Sequence, residues 1–472
     1  MKAILAFLLA VLLMMPLAAL GEAPDALTLF VATDLHYLAP ELTDHGSCFT
    51  QMIERGDGKV MAYSEEIVEA FVTQVIARRP DALVLSGDLT FDGERASHEA
   101  LADKLARVEA AGIPVLVLPG NHDLNNRNAA RFAGEGYALV DSVTAAEFRD
   151  IYQPFGYNDA LSRDRASLSY VADASQKLRI LLVDVNDANP QGEAEAQTLA
   201  WAEEQLAQAR LDGCRVITVS HQSLLSHSNT LFASGFSIGN AYELYALYAQ
   251  APVLCNLSGH IHMQHTSVTE DGLWDIATSS LAVSPNLYGV LTITQDKLTY
   301  HTETVDVFAW AAANGLQDPN LLDFASYSEG FFKESARRRA LAAASRDAQP
   351  EQLADYYAAL NAAYFAGRMD AFSPDAQLNE RWKQQSSFLP LYIESILKEP
   401  PRNHCILTID IREPCTGSEQ TLSANEKAYT VPGFQHCVRF FISGSDSGCW
   451  HKPAQRRAKA IRPGRPASSA PP

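Results

Sequence analysis

Cysteine is scarce in this chain. Seven occur among 472 residues and no CxxC pair is present, which argues against a thiolate metal cluster. Seven is also odd, so at least one thiol stays unpaired or pairs between chains. Cys48, Cys214 and Cys255 are spread out and read as isolated thiols. Cys405, Cys415, Cys437 and Cys449 crowd the end, where they could form bridges in an exported chain. Positive charge is short too: 37 Lys and Arg face 56 Asp and Glu, for a net charge of −19. Six of those cations lie in the last 22 residues, and without them 31 minus 56 leaves −25. Such a charge excludes nonspecific attraction to nucleic acid or to an anionic membrane, so no specific nucleic-acid binding is expected. After the first 23 residues no run is long and apolar enough to cross a bilayer.

What is present begins with residues 1–23, which resemble a signal peptide. Lys2 supplies a positive end, Ile4 to Met15 an apolar core, and Ala18, Ala19, Gly21 and Ala23 small residues for cleavage. The expectation is an exported protein, secreted or in the cell envelope. Left uncleaved, the same segment would anchor the chain, and membrane contact is expected only in that case.

The length favours one large unit with a smaller one attached. From residue 24 to 305 short apolar runs alternate with helical patterns, as in a layered α/β fold. Tyr63 to Arg79, Glu94 to Ala111 and Ala194 to Arg210 carry helix start and stop signals. The later runs TSVTE, LWDIAT, GVLTIT and LTYHTETV predict a second, partly antiparallel sheet. The expected architecture is therefore a β-sandwich flanked by helices (αββα). Residues 306–400, rich in Ala and charge, predict a small C-terminal helical module, and 401–472 an irregular, poorly ordered tail.

Five apolar runs end in the same kind of chemistry. LFVAT leads to Asp34, Leu35 and His36; ALVLS to Gly87 and Asp88; VLVLP to Gly120, Asn121, His122 and Asp123. VITVS leads to His221, and VLCNLS to Gly259, His260, Ile261 and His262. One such end is ordinary turn composition, but turns favour Gly, Asn, Asp and Ser and have no preference for His. Strands of an open α/β sheet deliver ligand-binding loops at their carboxyl ends. Carboxylates, imidazoles and one amide, without thiolates, suit borderline or hard metal ions such as Mn, Fe or Zn. Asp34, His36, Asp88, Asn121, His221, His260 and His262 are too many for one tetrahedral ion and about right for two that share a carboxylate.

The ordered series DLH, GD, GNHD, SH and GHIH, over roughly residues 27–305, resembles the calcineurin-like metallophosphoesterases. Its DxH and GHxH forms are most similar to the bacterial class III cyclic-nucleotide phosphodiesterases and their exported relatives. The resemblance implies two divalent or trivalent metal ions, Mn, Fe or Zn. Asp34, His36 and His262 would hold one ion, Asn121, His221 and His260 the other, and Asp88 would bridge them. Two such ions lower the pKa of a bridging water and clamp phosphoryl oxygens. His122, next in the loop, is assigned to the transition state and to protonating the leaving alkoxide. Asp123 is expected either to orient His122 or to pin the loop.

His45, His98, His227, His265 and His301 are isolated in pattern and are expected to be structural or at the surface. The long connection Tyr37 to Ala62 lies next to the first motif, where Tyr37, Arg55 and Lys59 could hold a base or a phosphate. Tyr37, Asn125 and Arg127 are the candidate substrate contacts, and Asn126, between the last two, could touch the same neighbourhood. Phe232 and Phe236, after His221, could stack a base or simply pack. The partner expected is a small phosphoester. A cyclic nucleotide or similar small diester leads, ahead of a phosphomonoester, a nucleotide-sugar or a phospholipid diester. A catalytically inactive cell-envelope binding module is the reading from another class.

Overall fold

A computed structural model describes residues 26–175, 177–228 and 235–411. The N-terminal segment 1–23, Phe232, Cys415, Cys437, Cys449 and residues 412–472 lie outside the described residues. Among the described residues, Cys48, Cys255 and Cys405 are free thiols.

Strands β1 (Leu27–Ala32), β2 (Ala82–Ser86) and β3 (Val115–Leu118) run parallel to one another. Helix α1 (Ser47–Arg55) lies in the connection after β1, followed by α2 (Ser64–Arg78) and, between β2 and β3, α3 (Arg95–Ala110). β2 and β3 have every residue buried, as expected of strands covered on both faces. Each fully buried Leu or Val among them contributes roughly 1.5–3 kcal/mol relative to exposure. After the hairpin β4 (Ala130–Ala133) and β5 (Gly136–Leu139), α4 (Ala145–Ile151) opens with a capping box between Thr144 and Glu147. β6 (Ser162–Arg163), β7 (Tyr170–Ser175), β8 (Leu178–Leu182), α5 (Ala196–Leu211), β9 (Arg215–Val219), α6 (Ala241–Tyr248) and β10 (Val253–Ser258) follow. The sandwich is completed by β11 (His265–Val268), β12 (Trp274–Ala277), β13 (Leu287–Ile293) and β14 (Lys297–Thr304).

Two mixed sheets result, in the orders β15-β14-β13-β1-β2-β3 and β11-β12-β10-β9-β8-β7-β6, where β15 is Ile406–Asp410. One core cluster joins Leu29, Val31, Leu83 and Leu85 of the first to Ile180, Ile217, Leu257 and Ile276 of the second. Ala202, Leu206 and Leu244 of α5 and α6 cover the second sheet's other face. The fold is the expected helix-flanked sandwich, with one rearrangement. GVLTIT and LTYHTETV do not extend the second sheet: β13 pairs antiparallel with β1, from Leu27 with Ile293 to Val31 with Gly289, and β14 follows it. The apolar residues of β13 are buried, and that demand is met only beside β1 in the middle of the first sheet.

The helical segment comprises α7 (Val307–Ala313), α8 (Phe324–Ala343), α9 (Pro350–Phe365), α10 (Ala376–Lys383) and α11 (Leu389–Lys398). Small residues Ala336, Ala340 and Ala344 of α8 and its C-cap let α9 approach with Leu353, Ala354, Tyr357 and Leu360. The same apolar cluster includes Ile261 and Met263, so this segment packs directly on the GHIH loop. The tail expected to be irregular from 401 onward is ordered at its start. β15 pairs antiparallel with β14, from Lys297 with Asp410 to His301 with Ile406. Leu407 is buried while Ile406 stays exposed, and the pairing satisfies the backbone of an otherwise open sheet edge.

Candidate metal centre

The parallel strands β1, β2 and β3 of one sheet and β9 and β10 of the other deliver their carboxyl ends to a common rim. There Asp34 N donates to Gly87 O (2.9 Å), His221 Nδ1 to Ser86 O (2.9 Å) and His260 N to Asp34 Oδ2 (2.9 Å). The backbone is strained where it turns. Asp34, His36, Asp88, His260 and His262 all have positive φ, between 44° and 69°. Left-handed conformations cost a non-glycine residue about 1 kcal/mol or more, and such outliers gather at functional sites.

The side chains form two groups that share one residue. Asp34, His36, Asp88 and His262 converge, and so do Asp88, His221 and His260. In the first group His36 Nε2 and His262 Nε2 are 3.0 Å apart and Asp34 Oδ1 is 3.2 Å from His262 Nε2. Asp88 faces both: Oδ2 lies 3.8 Å from His36 Nε2, and Oδ1 lies 3.3 Å from His221 Nε2. Asn121 Oδ1 is 3.1 Å from His221 Nε2, which places Asn121 with the second group.

These spacings fit metal ions. Bonds of about 2.0–2.2 Å set neighbouring ligand atoms roughly 3 Å apart around one ion. The spare valences fit as well. Asp34 Oδ2 already accepts from Thr33 Oγ1 and His260 N, while buried Oδ1 has no hydrogen-bond partner. His221 is held by its Nδ1–H bond, with Nε2 toward the group, and His260 by its Nε2 bond to Gly235 O (3.0 Å), with Nδ1 left over. Such outer bonds orient ligating imidazoles and select their tautomer.

Burial opposes ionisation of Asp88, but the charges of His221 and His122 hold its carboxyl well below the usual carboxylate range. Burial likewise opposes Asp34, and His262 holds it low. Burial works against a charge on His221, yet the Asp88 and Asp34 carboxylates push it up to about 9. Burial drives His36 well below its ordinary value, helped by the Lys59 ammonium, and burial together with His221 takes His260 to about 4. The surroundings therefore favour ionised carboxylates, and metal uptake is expected to compete with a proton at His221.

His122 stands apart from the ligand groups. Its Nδ1 is 2.9 Å from both Phe91 O and Asp92 Oδ1, and its Nε2 is 4.0 Å from Asp88 Oδ2. Burial disfavours its charge, but Asp88 and Asp92 outweigh this and raise it to about 9. Asp123 does not orient it. The Asp123 carboxylate accepts from Gly120 N (2.8 Å), Leu89 N (3.0 Å), Thr90 N (2.9 Å) and Thr90 Oγ1 (2.9 Å), and so pins the two loops together. Asp92 is the residue that sequence reasoning missed; its signal was a second Asp four residues after Asp88, in the Gly-bearing loop LTFDG.

Of the expected substrate contacts, Tyr37 is placed in the core. Tyr37 is fully buried, its hydroxyl donating to Glu65 Oε2 (2.6 Å), because its backbone is paired with Leu89 and Phe91 and carries the ring into the core. Asn125, at positive φ, and Arg127 are exposed, as is Arg55 on α1. Asn126 is the turn residue that faces inward, bonding Asp92 Oδ1 and His122 O. Lys59, by contrast, is nearly buried at the centre's rim. Phe236 lies 5.9 Å from the His260 ring. His98 is a core residue, bound by Thr90, Tyr152 and Asp123 O, and burial takes it to about 3. His227 and His265 form a buried pair, 3.1 Å between Nδ1 atoms, backed by Asp275 and Glu399.

Comparison with known proteins follows this geometry. Residues 27–264 match the family model described as calcineurin-like phosphoesterase, and residues 306–403 match the one described as C-terminal domain of cyclic nucleotide phosphodiesterase. A Synechococcus sp. protein named "Probable cyclic nucleotide phosphodiesterase" is 36% identical over 150 residues, which are 30% of this chain and 52% of that protein. The chain thus spans about half the length of the curated relative it matches. Among solved structures, a dimetal phosphatase from Danio rerio is 15% identical, with 58% of this chain and 95% of that one covered and a TM-score of 0.43. The purple acid phosphatase PPD1 of yellow lupin is 14% identical, with 60% and 52% covered and a TM-score of 0.40.

Proposed function

The chain belongs to the calcineurin-like phosphoesterase family, and from that premise we propose that it hydrolyses a phosphodiester, most readily a cyclic nucleotide or a similar small diester. The observation that carries this is Asp88, whose two oxygens face two separate groups of ligands, with His122 alongside but outside both. Asp34, His36 and His262 would hold one ion and Asn121, His221 and His260 the other, either Mn, Fe or Zn. When bound, the two ions supply the charge that polarises the phosphoryl oxygens and activates the attacking water.

The chain's own residues do the rest. Asp92 takes the Nδ1–H of His122, which leaves Nε2 to present a proton to the departing oxygen. Asn121 offers a neutral oxygen, so it adds no negative charge to the second group beyond that of the shared Asp88. The cyclic-nucleotide assignment draws on the descriptions of the matched C-terminal family model and of the Synechococcus sp. relative. Export is part of the proposal on the pattern of residues 1–23, and the mass of the mature protein checks it.

The test is turnover by the full chain supplied with Mn²⁺, on 3′,5′- and 2′,3′-cyclic nucleotides beside a simple phosphomonoester. Opening of one cyclic diester is expected and identifies the ring. Cleavage of the monoester alone would replace the proposal with a phosphatase, and a metal-loaded protein silent on every ester would replace it with a binding module.

A further inference from the structure

The connection between β1 and α2 carries one ammonium group to the edge of the metal centre. Lys59 Nζ is 3.0 Å from Asp57 Oδ2, and Asp57 Oδ2 is 3.6 Å from Nδ1 of His262, on the ring edge away from the ligand group. The side chains of Lys59 and Asp57 are only 11% and 14% exposed. Beyond Asp57, the groups that most stabilise the Lys59 charge are Asp88 and Asp92, and that charge in turn bears on His36 and His122. The ammonium therefore lies within electrostatic reach of the shared carboxylate and of the His122–Asp92 pair, next to Asp57 and the outer edge of His262.

This placement is built rather than incidental. An exposed ion pair is worth about 0–1 kcal/mol, too little to hold a lysine out of water. Here the backbone holds it. Lys59 bridges to Val283, and Val60 N donates to Ala282 O (2.8 Å), in the loop where Ser280 Oγ donates to Asp34 O (2.7 Å). The helical segment grips the other side. Ser335 Oγ of α8 donates to Gly56 O (2.9 Å), and the Arg338 guanidinium donates to Glu54 O. Between them Gly58 has φ +100°, and a Cβ there would stand 2.7 Å from Cδ2 of Phe332 on α8. Only glycine lets the chain turn so tightly beneath that ring.

We propose that Lys59 binds a non-bridging oxygen of the substrate's phosphoryl group, and that α8 positions it there through residues 54–58. This rests on the phosphoester reading of the site. An ammonium has three donors; Asp57 engages it from one side, which leaves donors for an anion. Asp57 also lies 3.6 Å from His262 Nδ1, so the same short turn touches both the ammonium and a residue of the first group. The helical segment thereby acquires a role in the reaction.

The probe is inorganic phosphate, titrated calorimetrically into the Mn²⁺-loaded full chain. Loss of a charge-assisted hydrogen bond corresponds to about 10- to 100-fold in affinity. Lys59→Gln is expected to weaken phosphate by that factor with metal content unchanged, and to raise KM more than it lowers kcat. Lys59→Arg should recover most of the affinity. Ser335→Ala, which touches no part of the centre, should weaken phosphate several-fold with little change in Tm. Phosphate bound by Lys59→Gln as tightly as by the wild type overturns the proposal, and so does a metal-loaded wild type that takes up no phosphate. Should Lys59→Gln lose its metal, Ser335→Ala decides, and wild-type affinity in that variant rejects the positioning by α8. Lys59-dependent phosphate binding without turnover of any ester supports this inference while removing the phosphodiesterase reading. Turnover that is indifferent to Lys59 does the reverse.

Discussion

At the scale of single residues, the division of labour between Asp92 and Asp123 shows what a side chain's direction decides. Both flank His122, one in the preceding loop and one next to it in sequence, but the turn sends Asp123 back to the amides of Leu89 and Thr90. Asp92→Asn is expected to reduce turnover about 10- to 100-fold, and His122→Ala about 10²- to 10⁴-fold, the range typical of a lost general acid. Metal content by elemental analysis should be unchanged in both; loss of metal in His122→Ala would make it a ligand instead. Glu94 gives a pH prediction independent of the metals. Burial, reinforced by the charge of Asp92, raises its carboxyl from 4.5 to about 8. Between those values the unfolded chain has released a proton that the folded chain keeps. Stability from this group is therefore complete below about pH 4.5 and falls as pH rises toward 8. Glu94→Gln, which cannot ionise, should lose less stability between pH 5 and pH 8 in urea unfolding, by on the order of a few kcal/mol. An unchanged pH slope would refute the assignment.

At the scale of elements, the strand-end turns are the unit of function, and glycine sets how closely two of them approach. A Cβ on Gly120 would fall 2.2 Å from both Asp88 N and Asp88 Oδ1, so Gly120→Ala must displace the carboxylate shared by the two ligand groups. It is expected to abolish binding of at least one Mn²⁺ per chain, as measured by calorimetry. Gly330, inside α8 with open space around its missing Cβ, provides the contrast. Gly330→Ala should stabilise the fold by about 0.5–1 kcal/mol and leave metal binding alone. The helices of the sandwich were legible from their end signals: Tyr63 to Arg79 is observed as Ser64–Arg78, and Glu94 to Ala111 as Arg95–Ala110. The partners of β13 and β14 were not, because alternation within a strand says which faces are buried but not which neighbour buries them. β15 escaped notice for a related reason, since five residues with one buried apolar side chain leave little periodicity to detect.

For the whole molecule, the second apolar cluster joins the helical segment to the rim that carries the ligands, through Ile261 and Met263 beside His260 and His262. A chain ended at Val305 would expose those residues and lose the α8 contacts to 54–58. It is expected to aggregate on size-exclusion chromatography, and a monodisperse, metal-binding product would show that the helical segment is dispensable. The sequence by itself singled out the residues that the structure gathers at one rim, because Asp, His and Asn at the ends of five apolar runs are chemistry that strand and turn preferences do not produce. It also determined the sandwich class, since alternating strand and helix periods leave few ways to bury the apolar faces. Only the tertiary structure decided that Asp88 stands between two groups, that Asp92 rather than Asp123 holds His122, that Tyr37 is core, and that Lys59 and Asp57 are carried beside His262. Each of those depends on where a loop is carried by contacts far away in the chain, and residue type and spacing do not encode such distances until the sheets have closed on each other.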